Sequence, residues 1–150
     1  MKIIAHRGNI TGRNPEYENH PDYILDAIWA GYEAEIDVWW ENGHWFLGHD
    51  APTYSINSSF LENTKLWCHA KNFQAFKIML KNRSIHCFWH QKDDYTMTSQ
   101  GYIWTYPGKK IDTTSVIVKP EENNFFISSR AYGVCTNFSA KVKDMLGENS

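Results

Sequence analysis

The sequence predicts an α/β protein, a compact, reduced (β/α) TIM-type barrel with about seven to eight parallel strands and several missing or short helices. Segments rich in β-branched and aromatic residues alternate with helical patterns, which is typical of βαβ units. Polar residues recur where the predicted strands end, and active sites gather at that face of such barrels. Because these barrels usually run to about 250 residues, we expect a chain of 150 residues to lack several helices.

Seven segments carry the strand pattern. They are 2–6, 33–39, 65–71, 85–90, 101–106, 115–119 and 133–137. An open, doubly wound sheet is the alternative arrangement. The sequence has no glycine-rich first turn of the GxGxxG type, which would support a dinucleotide site in such a sheet.

Three segments carry helical patterns. Pro21 suits the first position of a helix that Gly31 ends. Asn72 can cap a second helix that ends near Asn82, and Ser139 can cap a short third one. The later connections are polar and too short for long helices, so the second half of the fold is expected to be reduced.

A hairpin is expected after the second strand. Asn42-Gly43 favours a tight type I′ turn, and Trp45-Phe46-Leu47 has the composition of the returning strand. This hairpin would carry His49 back toward the strand at 33–39.

Composition limits the class of protein. At 42% hydrophobic residues, the chain suits one domain over residues 1–150. A net charge of −2 offers no extended basic surface, so nucleic acid is not expected as a partner. Three distant cysteines without a CxxC pair indicate reduced core residues. No signal-peptide pattern and no run of about 20 apolar residues is found, so we expect a cytoplasmic protein without a membrane span; its oligomeric state is left open.

Three polar clusters lie in the first third of the chain. They are His6-Arg7-Gly8, Glu35-Ile36-Asp37 and His49-Asp50. Residues i and i+2 of a strand share a face, so Glu35 and Asp37 project side by side. An isolated buried carboxylate is costly, so such a pair faces water, takes up a proton or binds a metal ion.

These clusters resemble the glycerophosphodiester phosphodiesterase family, which is related in fold to the phosphatidylinositol-specific phospholipases C. The residues that carry the resemblance, in the family's order and with similar spacing, are His6-Arg7-Gly8, Glu18-Asn19, Glu35-Ile36-Asp37-Val38 and His49-Asp50. The resemblance covers about the first 50 residues, continues faintly through Lys71, and returns at Gly133-Val134-Cys135-Thr136.

The resemblance implies that Glu35 and Asp37 bind a divalent cation, while His6 and His49 serve as an acid and base pair. Phosphodiester hydrolysis must neutralise charge on the phosphate and protonate the leaving alkoxide. Histidine, with an ordinary pKa near 6.5, suits proton transfer close to neutral pH.

Other residues would contact the substrate or support the site. Arg7 offers a planar fork of donors to phosphate oxygens, and Lys71 adds a point charge. Trp104 is a candidate for lining the mouth of the site. Asp50 would orient a histidine or the loop.

The third metal ligand is an open choice between His69 and Glu121. The family pattern has a glutamate two residues before the lysine, where this chain has His69-Ala70-Lys71. The expected cofactor is a divalent ion, Mg²⁺ or Ca²⁺ in the first place. An imidazole ligand would instead suit Mn²⁺ or Zn²⁺.

The resulting functional hypothesis is a metal-dependent phosphodiesterase that hydrolyses a small phosphodiester, in the first place a glycerophosphodiester. Attack by water and attack by a neighbouring substrate hydroxyl, which would give a cyclic phosphate, both remain open. The alternative is a noncatalytic binding module for a glycan, a phosphate-containing ligand or a protein partner. Its binding surface would consist of Trp39, Trp40, Trp45 and Trp104.

Overall fold

The computed structural model describes residues 1–147, which form one mixed sheet of ten strands, curled into a half-barrel, and three α-helices. The strands are β1 (Lys2–His6), β2 (Glu33–Glu41), β3 (His44–Leu47), β4 (Tyr54–Ile56), β5 (Leu66–Ala70), β6 (Cys87–Phe88), β7 (Tyr95–Met97), β8 (Ile103–Thr105), β9 (Ser115–Val118) and β10 (Gly133–Thr136). The helices are α1 (Pro21–Trp29), α2 (Phe73–Lys81) and α3 (Ser139–Met145), with short 3₁₀ helices at Ser58–Glu62 and Pro120–Asn123.

Seven strands run parallel, in the order β6-β5-β2-β1-β10-β9-β8. The other three are antiparallel additions. β3 and β4 extend the sheet from the end of β2, and β7 pairs with β8. The carboxyl ends of the seven parallel strands therefore meet at one end of the curled sheet, where ligand sites commonly form.

The expectation of a reduced TIM-type barrel is wrong. No strand ladder joins β6 to β8 within residues 1–147, so the sheet is curled but not closed. A parallel crossover through a helix needs about a dozen or more residues, and the connection from β8 to β9 has only residues 106–114. Between β6 and β8, the chain forms the antiparallel strand β7 where a barrel would place a helix.

Strand alternation separates the two faces of the sheet. Along β2, Ala34, Ile36 and Val38 pack in one apolar cluster with Ile24 of α1 and Ala75 of α2. The concave face holds a second cluster. Its buried members are Ile4, Trp67, Phe88, Trp104, Val116, Val118 and Cys135. Because side chains alternate along a strand, Glu35 and Asp37 project toward the concave side.

Most predicted elements are confirmed, with differences at their ends. The second helix begins after Asn72, whose side chain accepts a hydrogen bond from the Ala75 N–H, as its pattern predicts. The strand expected at 85–90 is reduced to β6. Ser139 is the first residue of α3 and not its cap, because its hydroxyl donates to the Asn9 carbonyl.

All three cysteines are buried and free, which confirms them as reduced core residues. Within residues 1–147, none of the helices has the length and apolar character needed to cross a membrane.

Candidate functional site

A cavity of about 370 Å³ opens at the carboxyl ends of the parallel strands. Of the residues expected to catalyse, to bind metal or to bind substrate, all but Glu121 line it. They are His6, Arg7, Glu35, Asp37, His49, His69, Lys71 and Trp104. Residues from β1, β2, β5 and β8 and from the loops after β1, β3 and β5 thus meet at one place, although they lie far apart in the sequence.

Two adjacent strands supply the centre of the cavity. Glu35 and Asp37 lie on β2, and Asp37 stands opposite His69 of β5 in the parallel register. Both carboxylates are nearly inaccessible, at 2% and 1% exposure. Burial of two charged groups in this way requires partners with positive charge or hydrogen-bond donors.

Asp37 has such partners on every side. Its Oδ2 atom lies 3.2 Å from Arg7 Nε and 3.5 Å from His49 Nδ1. Its Oδ1 atom lies 3.2 Å from His69 Nδ1 and 3.9 Å from Lys71 Nζ. Burial alone would raise the pKa of Asp37, but hydrogen bonds with His49 and His69 and the charges of His69 and Arg7 hold it well below its usual range. Asp37 is therefore ionised.

Asn19 fixes the orientation of Asp37. Its Nδ2 donates to Asp37 Oδ2 at 2.8 Å, and its Oδ1 accepts from the Asp37 backbone N–H at 2.9 Å. The backbone of Asn19 has a φ of 67°, a left-handed conformation that asparagine tolerates better than most residues. Its own N–H donates to the Arg7 carbonyl. Asn19 therefore ties together the ends of β1 and β2.

Glu35 accepts weaker contacts from three residues around it. Its Oε2 accepts from the Arg7 backbone N–H at 3.3 Å and lies 3.7 Å from His6 Nε2. Its Oε1 lies 3.7 Å from His69 Nδ1.

The tautomer of His69 follows from its hydrogen bonds. Its Nε2 lies 3.2 Å from the His90 carbonyl, which can only accept, so Nε2 carries a proton. Nδ1 is then the atom that faces Asp37 and Glu35, and it needs either a second proton or a cation there. Burial alone would lower the pKa of His69, but hydrogen bonds with Asp37 and Glu35 and their charges raise it to about 9.

This donor set fits a divalent cation. Glu35, Asp37 and His69 each offer one ligand atom, and these three atoms lie within 4.8 Å of one another. An ion with ligands at about 2.0–2.4 Å spans opposite ligand atoms up to about 4.8 Å apart. Two carboxylate oxygens and one imidazole nitrogen suit Mn²⁺ or Zn²⁺ in addition to harder ions.

Glu121 is engaged elsewhere. Its carboxylate accepts hydrogen bonds from the Thr136 hydroxyl at 2.7 Å and from the backbone and side-chain N–H groups of Asn137 at 2.9 Å each. Of the two candidates for the third ligand, the structure brings only His69 to the carboxylates. Glu121 instead contacts Asn137, whose Oδ1 lies 2.8 Å from His6 Nδ1.

The β2–β3 hairpin delivers His49 as expected. Its Nε2 accepts from Arg7 Nη2 at 3.3 Å, so Nδ1 carries the proton that points at Asp37. Asp50 Oδ1 lies 3.6 Å from His49 Nε2, and the Asp50 side chain is 97% exposed. His49 therefore stands between a buried carboxylate and the open side of the cavity.

The remaining walls contain Trp104, as expected, and other residues that the sequence pattern did not assign to the site. Trp104 forms part of the wall but is only 2% exposed, so it is a packed surface and not a free stacking platform. Lys119 and Trp89 also line the cavity. The signal that could have found Lys119 and Asn137 is their position directly after β9 and β10.

His90 and Tyr106 form the wall behind His69. The rings of His69 and His90 stack with centroids 4.9 Å apart, and the Tyr106 hydroxyl is hydrogen-bonded to His90 Nε2. Burial and the charge of His69 lower the pKa of His90 to about 4, so His90 is neutral at pH 7. His90 therefore adds no charge to the cavity at pH 7.

Comparisons of the chain with protein-family models, with curated proteins and with solved structures found no match.

Proposed function

We propose that this protein is a metal-dependent phosphodiesterase that hydrolyses a small phosphodiester, in the first place a glycerophosphodiester. The observation that supports the proposal is the convergence of two histidines and two basic side chains on the Glu35–Asp37–His69 group in one cavity. Those side chains are His6, His49, Arg7 and Lys71.

Glu35, Asp37 and His69 would hold the cation. When bound there, a divalent ion would neutralise phosphate charge and polarise the phosphoryl oxygens. Because the ion would displace the proton between His69 and the carboxylates, metal binding should strengthen as the pH rises toward the His69 pKa of about 9.

The basic side chains would position the phosphate. The Arg7 guanidinium is held by Asp37 and His49, which keeps its fork of donors at the cavity wall. The Lys71 ammonium lies on the other side of Asp37, 3.9 Å from Oδ1. A phosphodiester bound between Arg7 and Lys71 would replace part of the contact that each of these side chains makes with Asp37.

His6 and His49 would exchange the protons. Both histidines line the cavity, where His6 Nε2 lies 3.7 Å from Glu35 Oε2 and His49 Nε2 lies 3.3 Å from Arg7 Nη2. One histidine would take the proton of the attacking hydroxyl or water, and the other would protonate the departing alkoxide oxygen. Removal of either should therefore lower kcat more than it changes KM.

The test is hydrolysis of glycerophosphocholine and of bis-(p-nitrophenyl) phosphate with Mg²⁺, Ca²⁺, Mn²⁺ and Zn²⁺. Turnover is expected with at least one metal, and it should be lost with chelator and in His6→Gln and Glu35→Gln. His44→Gln is the matched control, because His44 is exposed on β3. Wild-type turnover equal to that of His6→Gln with every metal would refute the proposal.

Phosphorus NMR of the first product would distinguish attack by water from attack by a substrate hydroxyl, because the second route gives a cyclic phosphate. Phosphate binding without turnover would favour the noncatalytic binding module. Trp45 and Trp104 are only 7% and 2% exposed, and this burial argues against the tryptophan binding surface expected for that module.

A further inference from the structure

Behind His6 lies a chain of polar groups, three of them buried, that the proposed reaction does not use. Its members, connected by hydrogen bonds, are Glu18, Asn9, Asn137 and Glu121. Asn9 and Asn137 are 0% and 4% exposed. Buried polar networks are costly unless every member is satisfied, so a network of this size next to a reactive histidine calls for a functional explanation.

The amide of Asn137 has only one orientation that satisfies its neighbours. Its NH₂ group donates to Glu121 Oε1 at 2.9 Å, and a carboxylate can only accept. Its Oδ1 must therefore point the other way, toward His6 Nδ1 at 2.8 Å.

The amide of Asn9 leads independently to the same assignment. Its Oδ1 accepts from the Tyr23 hydroxyl and from the backbone N–H of Asn14. Its NH₂ group consequently donates to Glu18 Oε1 and to Asn137 Oδ1, at 2.8 and 3.0 Å. Two separate sets of hydrogen bonds therefore identify Asn137 Oδ1 as an acceptor.

We propose that Asn137, held by Glu121, is a positioning residue that keeps His6 in the Nδ1–H tautomer and leaves Nε2 open toward the cavity. Since Asn137 Oδ1 can only accept, His6 Nδ1 must donate, and Nε2, 3.7 Å from Glu35 Oε2, becomes the nitrogen that exchanges a proton with substrate. The role in turnover rests on the proposed function, whereas the tautomer does not.

This proposal gives Glu121 a role other than metal binding. Glu121 Oε1 receives both N–H groups of Asn137, and Oε2 receives the Thr136 hydroxyl. A glutamine can keep these contacts, because its carbonyl oxygen accepts from Asn137 and its NH₂ group can donate to Thr136 Oγ1. A leucine cannot keep them.

The test measures the tautomer of His6 by ¹⁵N NMR of the histidine side chains in the full chain, with the His6 signals assigned by their loss in His6→Gln. The wild type should show a protonated Nδ1 and an unprotonated Nε2 in the neutral ring. Asn137→Leu and Glu121→Leu should shift this population toward Nε2–H, whereas Glu121→Gln should keep the wild-type pattern.

Thr98→Val is the matched control. Thr98 is 3% exposed and its hydroxyl pairs with His86 Nε2 at 2.7 Å, so the substitution removes an equally buried histidine partner at a distance from the cavity. It should change the His86 signals and leave those of His6 unchanged. If Asn137→Leu fails to fold, the Glu121→Leu and Glu121→Gln pair makes the same comparison.

Activity gives the second readout. Loss of a group that orients a reactive histidine typically costs about 10- to 100-fold, so Asn137→Leu and Glu121→Leu should lower kcat by that factor with KM little changed, and Glu121→Gln should stay within a few-fold of wild type. An Nε2–H tautomer in the wild type, or an unchanged tautomer in both leucine variants, would overturn the proposal. If the wild type has no turnover, the proposed function fails and the tautomer measurements alone decide whether Asn137 positions His6.

Discussion

At the scale of single residues, the centre of the site is a balance of charges around two buried carboxylates. Asp37 contacts the positive groups of Arg7 and Lys71 directly, and Asn19 holds its orientation through two hydrogen bonds. Glu35 has no lysine or arginine side chain within ion-pair distance in the part of the chain described; its neighbours are the rings of His6 and His69. The pair can therefore accept a further positive charge without displacing Arg7.

His69 is where a proton and a metal ion compete. With a pKa raised to about 9 by hydrogen bonds with Asp37 and Glu35 against the effect of burial, Nδ1 is protonated at pH 7 when no metal is present. Metal binding requires the neutral ring, so it should release about one proton. The apparent affinity should rise about tenfold per pH unit from pH 7 to 9 and level off above that pKa.

Calorimetry with Mn²⁺ in buffers of different ionisation enthalpy measures this proton release. His69→Gln should bind more weakly, release no proton from this site and lose the pH dependence between 7 and 9. A wild-type affinity that is constant over this range would contradict the assignment of His69 as a ligand.

At the scale of elements, the β2–β3 hairpin and the loop after it position His49. The Asn42-Gly43 turn has positive φ values at both central residues, as a type I′ turn requires. Gly48, directly before His49, lies where a Cβ atom would approach the Ala51 carbonyl oxygen to 2.0 Å and Thr53 Oγ1 to 2.7 Å. The loop can close over this position only if residue 48 is glycine.

Gly48→Ala should therefore displace His49 from Asp37. A misplacement of about 1 Å at a reacting group can cost about 100-fold, so we expect kcat/KM for phosphodiester hydrolysis to fall about 10- to 100-fold. Hydrolysis rates and urea unfolding, measured on the same samples, separate the effect on the site from the effect on stability.

Gly43→Ala is the matched control in the same hairpin. Its φ is 76° but no atom lies within 4 Å of the added Cβ, so it should cost about 1 kcal/mol of unfolding free energy and leave kcat/KM nearly unchanged. Equal activity of the two alanine variants would show that Gly48 does not position His49.

At the scale of the whole molecule, the curled sheet buries titratable groups on its concave side. The centroids of the His86 and Trp67 rings lie 4.2 Å apart, and His86 Nε2 is hydrogen-bonded to Thr98 Oγ1 at 2.7 Å. Burial lowers the pKa of His86 to about 4 from an ordinary 6.5. The folded protein thus holds this imidazole neutral in a range where the unfolded chain would protonate it.

The sign of the resulting pH dependence is set by this lowered pKa. As the pH falls below about 6.5, His86 binds a proton in the unfolded state, whereas in the folded state it stays unprotonated until about pH 4. The free energy of unfolding should therefore decrease over this window, by up to about 3 kcal/mol.

Urea unfolding at pH 7.5, 6, 5 and 4 measures this loss. His86→Gln keeps a hydrogen-bonding side chain without a titrating group, so its stability should vary less with pH than that of the wild type. The exposed His44→Gln should follow the wild type. Identical slopes for His86→Gln and the wild type would contradict the assignment.

Many of the individual elements, and the residues at the centre of the candidate site, could be predicted from the sequence. Strand alternation around Glu35 and Asp37, the cap at Asn72 and the Asn-Gly turn are local signals, since each depends on residues within one turn or strand. The short strands β4 and β7 could not be predicted, because three residues are too few to show the alternation of apolar and polar side chains. The expected barrel was wrong because nothing local specifies whether a sheet closes.

Local sequence patterns specify the clusters of polar side chains, most of the strands that carry them and the face on which Glu35 and Asp37 project. Three features follow from long-range contacts instead: the sheet stays open between β6 and β8, His69 and not Glu121 meets the two carboxylates, and Glu121 holds Asn137 against His6. The physical reason is that alternation and capping depend on neighbours along the chain. The partner of a buried carboxylate, by contrast, depends on which distant strand ends the folded sheet brings within hydrogen-bond distance.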